Sequence, residues 1–273
     1  MKVIFSRKGV DSAAGRIASA LVDGRPFSLP IPDGPTSPTK YTQLAEPFAS
    51  MASDLSKGRL ADQQLCHLDP DIDESSLPNR PFGWRGALGQ AGPALSHLRN
   101  QGVGEGDLFL FWGLYRQARK VDGHWQFNGH RRHCLFGWLK IGDVIDAGAD
   151  GAGSLAKNPW LIDHPHARDG RSSQNTIFVA ADFCEFDGKR FAGSGVFRQA
   201  LMLSADHSRL PSLWAVPAWL NPHVGGTGLS YHSPDRFNGT FLQTVARGQE
   251  FVADIGQRSD AVAWIARTLE NGS

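Results

Sequence analysis

The chain has 273 residues, of which 41% are hydrophobic and 20% charged, a composition typical of a globular protein and not of a disordered one. Its formal charge of +1 excludes a uniformly basic protein that binds nucleic acid by electrostatics alone, but it is compatible with a local basic cleft. No segment approaches the roughly 18–20 consecutive apolar residues of a membrane-spanning helix, and the N-terminal apolar run is too short for a signal peptide. We therefore expect a cytoplasmic protein with no membrane partner.

The first part of the chain predicts short strands and two helices. KVIF, at residues 2–5, is the first strand, and RPFSLPIPDG is a short strand that ends in a Pro-Asp-Gly turn. SPTKYTQLAEPFASMASDL predicts a helix with Ser37 or Thr39 as its N-cap. GPALSHLRNQG predicts a second helix, closed by Gly102.

From residue 107 onward the pattern is that of strands. DLFLFWGLYRQ and HWQFNG are separated by the turn at residues 121–123, and HCLFGWLKIGDVID follows. NTIFVAADFCEFDGKRFAGSGVFR predicts a further hairpin with Asp187-Gly188 as its turn. DAVAWIARTLENG predicts an amphipathic terminal helix.

This order of elements predicts an α+β fold. We expect a single compact domain, residues 1–273, with a strand-rich mixed or antiparallel sheet core and a few flanking helices. Two lobes, about residues 1–105 and 106–273, are the alternative. Cys66, Cys134 and Cys184 lie far apart beside apolar residues, which indicates buried free thiols and not a zinc site.

The loop after the first strand, FSRKGVDSAAG, carries more charge than a connector needs. Arg7 and Lys8, beside backbone amides that the glycines leave accessible, form a candidate anion site. Asp11 is a candidate general base or electrostatic stabiliser. The alternative is a structural loop in which Asp11 or Ser12 caps a helix. The segment matches neither a P-loop nor a dinucleotide-binding fingerprint.

CHLDPDID is the second polar segment. His67, Asp69 and Asp71 alternate, so in an extended segment all three side chains would face one side. Such a face could bind a divalent cation or place a carboxylate against a substrate. Asp-Pro-Asp is also an ordinary turn, and we expect no metal here.

Two further segments are rich in basic residues. NGHRRHC contains the densest basic cluster, in which Arg131 and Arg132 are candidates for phosphate contacts, with a solvated hairpin end as the alternative. NPWLIDHPHARDGR is typical of an exposed functional loop, but His164 and His166 lack a ligand partner at a known metal spacing.

The C-terminal part offers two clusters. Tyr231, His232 and the nearby Arg236 could supply stacking, proton transfer and an anion clamp. In RGQE, the glutamine of residue 249 can read a base edge, and Glu250 can activate water. Glutamate is rare in the chain, six against 21 aspartates, which raises the interest of Glu250. The alternative is that RGQE is simply a turn.

Taken in order, KVIFSRKGVDS with SLPIPD, CHLDPD, GQAGPALSHL, LSYH and RGQEFV resemble the nucleotide modification associated domain family, third class. The similarity spans nearly the whole chain, although AAGRIASAL stands where the family has a stretch richer in glycine and proline. The resemblance implies a part in systems that make, read or remove unusual DNA bases, often in conflict with phages. It also makes functional candidates of the matching polar residues.

The hypothesis that we favour is a DNA glycosylase that removes a modified base. Such an enzyme extrudes the nucleotide and needs a carboxylate near the sugar, with no cofactor or metal. For that carboxylate we expect Asp11 first, Asp69 second and Glu250 third. Tryptophans such as Trp84 and Trp112 could stack on the base, although we expect most of the eight tryptophans to lie in the core. The expected partner is DNA with modified bases, such as phage DNA. The candidate substrate-binding residues are Arg7, Lys8, Ser12, His67, Asp71, Arg131, Arg132, Tyr231, His232, Arg247 and Gln249.

Two alternatives remain open. One is a non-catalytic reader of modified bases, which would bind modified DNA without breaking a bond. The other is a transferase or hydrolase that acts on free nucleotides and has little affinity for duplex DNA.

Overall fold

The computed structural model describes residues 1–35, 37–60, 64–148, 151–168, 173–246 and 248–272. In these ranges the strands are β1 Lys2–Arg7, β2 Ser19–Val22, β3 Arg25–Phe27, β4 Ile31–Asp33, β5 Thr39–Lys40, β6 Leu65–His67, β7 Ala87–Ala91, β8 Leu108–Val121, β9 His124–Asp146, β10 Asn175–Ala180, β11 Phe183–Phe186, β12 Lys189–Ala192, β13 Ser194–Met202, β14 Leu213–Ala215, β15 Phe237–Asn238, β16 Phe241–Gln243 and β17 Glu250–Asp254. The α-helices are α1 Phe48–Ser56, α2 Gly92–Asn100, α3 Gly151–Lys157 and α4 Ser259–Gly272. The fold is α+β, as predicted.

The main sheet is mixed. Its strands follow the order β17-β1-β8-β9-β10-β7, while β13 pairs with β9 and β2 pairs with β3 and β8. The β1–β8 and β2–β8 pairs are parallel, and the other pairs of this sheet are antiparallel. Because β1 lies between β8 and β17, the loop after β1 emerges beside the start of β17. This arrangement determines the position of the candidate site.

Two apolar clusters cover opposite faces of this sheet, and β8 shows why. Its alternate residues Leu108, Leu110 and Trp112 belong to one cluster, whereas Phe109 and Phe111 belong to the other. This alternation is the period of two that a strand buried on both faces requires. Helix α4 contributes to the first cluster and α2 to the second.

A third apolar cluster lies under α1. Phe48, Met51 and Leu55 of this helix pack with Cys66 of β6 and Phe27 of β3. The three cysteines are free and buried, as predicted. In the described part of the chain no helix combines the length and the hydropathy that a membrane span would need.

Most of the predicted elements are confirmed. The strand at residues 2–5, the helix that precedes Gly102, the hairpin at Asp187-Gly188 and the terminal helix are all present. The turn at residues 121–123 joins β8 to one continuous strand, β9, and its residues Asp122 and Gly123 have φ of 50° and 83°. The left-handed region suits Asp and Gly in such hairpin turns.

The start of the first helix was predicted wrongly. Helix α1 begins at Phe48, after Pro47, and neither Ser37 nor Thr39 is its N-cap. Thr39 instead pairs with Cys66 across β5 and β6. Tertiary pairing with β6 therefore outweighs the local preference for helix in residues 37–46.

Candidate active site and basic groove

The candidate site forms where β1 ends. Ser6 of β1 is the register partner of Glu250 at the start of β17. Beyond it, the Arg7 N–H donates to the Gln249 carbonyl at 2.7 Å, and the Lys8 N–H donates to the Trp112 carbonyl at 2.8 Å. The two neighbouring strands therefore fix the direction of the loop after β1, and the Lys8 side chain enters the interior.

Lys8 lies between two buried carboxylates. Its Nζ atom is 3.4 Å from Oε1 of Glu250 and 3.7 Å from Oδ2 of Asp69. Glu250 Oε1 also accepts hydrogen bonds from the Ser6 hydroxyl at 3.0 Å and from the Gln90 amide. Asp69 Oδ1 accepts the Gly89 N–H at 2.6 Å. Residues that are remote in sequence thus form one buried polar cluster.

The two carboxyl groups differ in their electrostatics. Burial by itself would raise the pKa of Asp69, but the Lys8 ammonium and the nearby His164, His166 and His67 outweigh it and hold the pKa well below the usual range. Burial raises the pKa of Glu250, and Lys8 and Ser6 oppose this only in part. Lys8 and its neighbours therefore favour the ionised form of Asp69 more strongly than that of Glu250.

Two histidines face each other beside Asp69. The Nε2 atoms of His67 and His166 are 3.3 Å apart, and His67 Nε2 is 3.9 Å from Asp69 Oδ2. On the other side of each ring, His67 Nδ1 is 2.8 Å from the Asp33 carboxylate and His166 Nδ1 is 2.6 Å from Oδ1 of Asn175. Burial, with His164 and His67 adding to it, lowers the pKa of His166 to about 3.

These side chains open into a cavity of about 230 Å³, here called the inner cavity. His67, Asp69, His166 and Lys8 line its polar wall, together with Gln90. Glu250 is not part of the lining, because it lies behind Lys8 and is 1% exposed. Within the described residues, its second oxygen, Oε2, has no hydrogen-bond partner.

A second depression of about 660 Å³, here called the basic groove, adjoins the inner cavity. Arg7 and Asp11 line both depressions and form the ridge between them. The electropositive lining comes from three elements of the fold: the end of β1, the β8–β9 hairpin and the loop that precedes β14. The basic residues of the lining are Arg7, Arg116, His130, Arg131, His133 and Arg209.

The loop after β1 is held by internal hydrogen bonds, and its residues border both depressions. Asp11 Oδ1 accepts the N–H groups of Ala13 and Ala14, both at 2.7 Å, and Oδ2 lies 3.8 Å from Nε of Arg7. No helix follows, so the alternative that Asp11 or Ser12 caps one was wrong. Ser12 lines the basic groove.

The expectation that His67, Asp69 and Asp71 share one face was only partly correct. Strand β6 ends at His67, so the alternation does not continue to Asp71. Asp71 instead accepts two hydrogen bonds from Arg80, at 2.9 and 2.6 Å, and one from Nε1 of Trp84 at 3.0 Å. Asp71 therefore serves the packing of its own loop and does not line the inner cavity.

Of the remaining candidates, Arg131 lines the basic groove, whereas Arg132, Tyr231 and His232 line neither depression. Arg132 donates to the carbonyls of residues 205, 206 and 208, whereas Arg131 lines the basic groove. His232 is held by the Ser230 carbonyl and packs edge-on against Phe251, and Tyr231 is a half-exposed ring beside His97. These contacts support local packing.

Trp84 and Trp112, the two tryptophans that could have stacked on a base, line neither the basic groove nor the inner cavity. Trp112 is buried against Trp214 and Phe251. The Trp84 ring is covered by the Arg80 guanidinium. Gln249 lines the inner cavity, and Arg247 lies outside the described residues.

Sequence reasoning missed five residues of the cluster: Ser6, Asp33, Gly89, Gln90 and Asn175. It also set His166 aside, because no ligand partner stands at a known metal spacing in the sequence. In the structure, ligand atoms of His67, Asp69 and His166 all lie within 4.8 Å of one another. One signal was present in the sequence. His-x-Asp with a second, distant histidine is the residue set of a two-histidine, one-carboxylate metal site.

The fold and the site together define an α+β protein whose buried carboxylate cluster adjoins a basic groove. The family model of nucleotide modification associated domain 3 matches residues 2–254, and the chain belongs to this family, as the sequence resemblance predicts. Membership associates the protein with nucleotide modification systems and is compatible with nucleic-acid binding. Comparison with curated proteins and with solved structures found no match.

Proposed function

We propose that the protein removes a modified base from DNA by hydrolysing its N-glycosidic bond, and that phage DNA carrying modified bases is its substrate. The observation that carries the proposal is the shared ridge: Arg7 and Asp11 line both the basic groove and the inner cavity. A DNA backbone in the groove would therefore place an extruded nucleotide at the mouth of the cavity. Enzymes that act on a base within DNA need this arrangement.

The basic groove is suited to phosphates. Arg116, Arg131 and Arg209 lie on its walls with Arg7, and among the described residues of the lining only Asp11 carries a negative charge. Arginine presents a planar fork of donors that matches phosphate oxygens. Contacts of this kind position the backbone and carry no sequence information. The groove thus supplies affinity, and selectivity must come from the inner cavity.

The inner cavity suits a base more than a whole nucleotide. Its volume of about 230 Å³ is below the roughly 300–1,000 Å³ of pockets that enclose drug-sized ligands. Gln90 and Gln249 are in its lining, and amide side chains can hydrogen-bond base edges. A substituent on the base would extend toward the polar wall formed by Lys8 and the histidines.

Asp69 is the carboxylate that we propose for the reaction. Cleavage of the bond builds positive charge on the sugar, which a fixed anion stabilises. Water then adds its hydroxyl to C1′, and its proton passes to the departing base nitrogen, so that an abasic site remains. Asp69 lines the inner cavity and is held by Gly89 and Lys8. Glu250 lies behind Lys8, and Asp11 is engaged by its own loop, so we rank both below Asp69.

The test is the incubation of the purified protein with duplex DNA that carries hydroxymethylated or glucosylated cytosine, followed by alkali. Strand scission at modified sites, with release of the free base, supports the proposal. We expect Asp69→Asn to lose at least 100-fold in rate and Asp11→Asn to lose less. Asp182→Asn is the matched control, because its carboxylate is exposed and belongs to the lining of neither depression.

Each of the other outcomes supports a different function or a different catalytic residue. Tight binding of modified duplex without scission would overturn the proposal in favour of a reader. Turnover of modified mononucleotides with little affinity for duplex would overturn it in favour of a transferase or hydrolase on free nucleotides. Scission that survives Asp69→Asn but not Asp11→Asn would transfer the catalytic role to Asp11.

A further inference from the structure

We infer that His67, Asp69 and His166 bind one divalent transition-metal ion at the polar wall of the inner cavity. Their ligand atoms lie within 4.8 Å of one another, although the residues come from β6, from the segment just after it, and from a 3-10 turn about a hundred positions later.

The two imidazoles have the separation that a shared ion requires. Nitrogens bound to one tetrahedral zinc ion at about 2.0–2.1 Å are about 3.3 Å apart. The Nε2 atoms of His67 and His166 are 3.3 Å apart. Two imidazole nitrogens at this distance need a cation or a proton between them, because their lone pairs otherwise repel.

The outer contacts fix which nitrogen of each ring carries hydrogen. The Asp33 carboxylate can only accept, so His67 donates to it through Nδ1. Asn175 gives its amide N–H to the His166 carbonyl at 2.8 Å, which turns its Oδ1 toward Nδ1 of the same ring. In the neutral form of the two rings, both Nε2 atoms therefore present lone pairs to each other. Histidine ligands of metals characteristically donate their other N–H in this way.

A second, independent observation points to the same place. His164 is 1% exposed, and its Nε2 atom has no hydrogen-bond partner among the described residues, yet it points to within 3.5 Å of Asp69 Oδ1. Its Nδ1 accepts the His166 N–H at 3.2 Å. The ring is thus oriented to hold Asp69 from behind, which leaves Asp69 Oδ2 directed at the space near His67 and Lys8.

Two imidazoles and one carboxylate with an open side form the ligand set of catalytic zinc and of non-haem ferrous sites. All three proposed ligands line the inner cavity, so the open position faces the substrate space. A bound ion would lower the pKa of a coordinated water. If the proposed function holds, on which this step rests, that water supplies the hydroxyl that adds to C1′, while its proton passes to the departing base.

Metal binding is tested without DNA, so its failure and the failure of the proposed reaction are separate results. Protein stripped with a chelator is titrated calorimetrically with Zn²⁺ and, for visible absorption, with Co²⁺. We expect one ion per chain, loss of binding in His67→Asn and His166→Asn, and no binding of Mg²⁺. His207→Asn is the control, because this exposed histidine belongs to neither the cluster nor the cavity linings.

A variant that keeps all three ligands guards against misfolding as the cause. We expect Asn175→Ala to weaken Zn²⁺ binding by about 10–100-fold, as for other outer-shell changes, with an unchanged circular dichroism spectrum. Stoichiometry well below one, or equal affinity in wild type and His67→Asn, would overturn the inference. So would a proton shared between the two rings, seen by NMR as a persistent Nε2–H in protein saturated with Zn²⁺.

Discussion

Lys8 and Glu250 form a buried ion pair between the end of β1 and the start of β17, with Nζ and Oε1 3.4 Å apart and both side chains less than 10% exposed. The same ammonium lies 3.7 Å from Asp69. A single cation therefore connects the first strand, the last strand and the segment after β6. Because burial disfavours charge, each carboxylate in this cluster depends on Lys8 for its compensation.

We predict that Lys8→Met lowers the free energy of unfolding by about 3–5 kcal/mol, since it leaves buried carboxylates without their partner. Glu250→Gln should cost less, because the amide keeps an acceptor for Ser6. In the double variant Lys8→Met/Glu250→Gln, the loss in the free energy of unfolding should be smaller than the sum of the two single losses, by at least about 1 kcal/mol. Urea denaturation of the four proteins measures this coupling, and simple additivity would contradict the ion pair.

The lining of the basic groove predicts how the affinity for DNA depends on salt concentration, and it assigns this dependence to individual arginines. Arg131→Ala and Arg209→Ala should each weaken binding of DNA and reduce the slope of log K against log salt by about one. Arg132→Ala should leave that slope unchanged and lower stability instead, because its guanidinium holds three carbonyls. Fluorescence anisotropy at several salt concentrations gives the slope.

The exposed Arg198 provides the control for this series, because Arg198→Ala removes one positive charge outside the groove lining. Arg131→Ala and Arg198→Ala proteins with identical slopes would show that DNA does not follow the groove.

The sequence predicts the sheet better than it predicts the site. The β8–β9 hairpin could be predicted because apolar alternation and an Asp-Gly turn are local signals. Helix α1 was placed too early, because the pairing of Thr39 with Cys66 is a tertiary contact that no local pattern reveals. Elements defined by long-range pairing are generally those that local propensity misses.

Within the site, the sequence identifies Lys8, Asp69 and Glu250 but not the contacts among them. Lys8 and Glu250 meet because β1 and β17 are antiparallel neighbours, and this topology is not encoded by residue spacing. His166 is 99 positions from His67, and its partner Asn175 begins a separate strand. The histidine pair therefore depends on how β10 is placed in the sheet, which only the three-dimensional structure gives.

The burial of His133 predicts that the free energy of unfolding depends on pH. It accepts the Trp214 indole N–H at 3.0 Å through Nδ1, and burial, with the nearby Arg7 adding to it and Asp11 opposing, lowers its pKa to about 4. The unfolded chain, in which histidine titrates near pH ~6.5, binds more protons between these values. Stability should therefore fall as the pH drops from about 6.5 to about 4, by roughly 2–3 kcal/mol from this residue.

The variant His133→Gln keeps an acceptor for Trp214 but cannot titrate in this range. We expect its stability, relative to wild type, to improve as the pH is lowered from 7.5 to 4.5. Urea denaturation at several pH values tests this, and parallel curves for the two proteins would show that His133 is protonated in the folded state.

Gly89 is the position where a single methyl group should disturb the histidine pair. A Cβ atom built on Gly89 would lie 2.1 Å from Cγ and Cδ2 of His166, far inside van der Waals contact. Gly89→Ala must therefore displace the ring, at a cost of about 1–3 kcal/mol in the free energy of unfolding.

Gly104→Ala is the matched control, because no atom of the described residues lies within 4 Å of its Cβ and its φ is not in the left-handed region. We expect this control to be neutral or slightly stabilising, and abasic-site formation to fall only in the Gly89 variant. Equal stability of both variants would mean that His166 is not held where the Asn175 contact puts it.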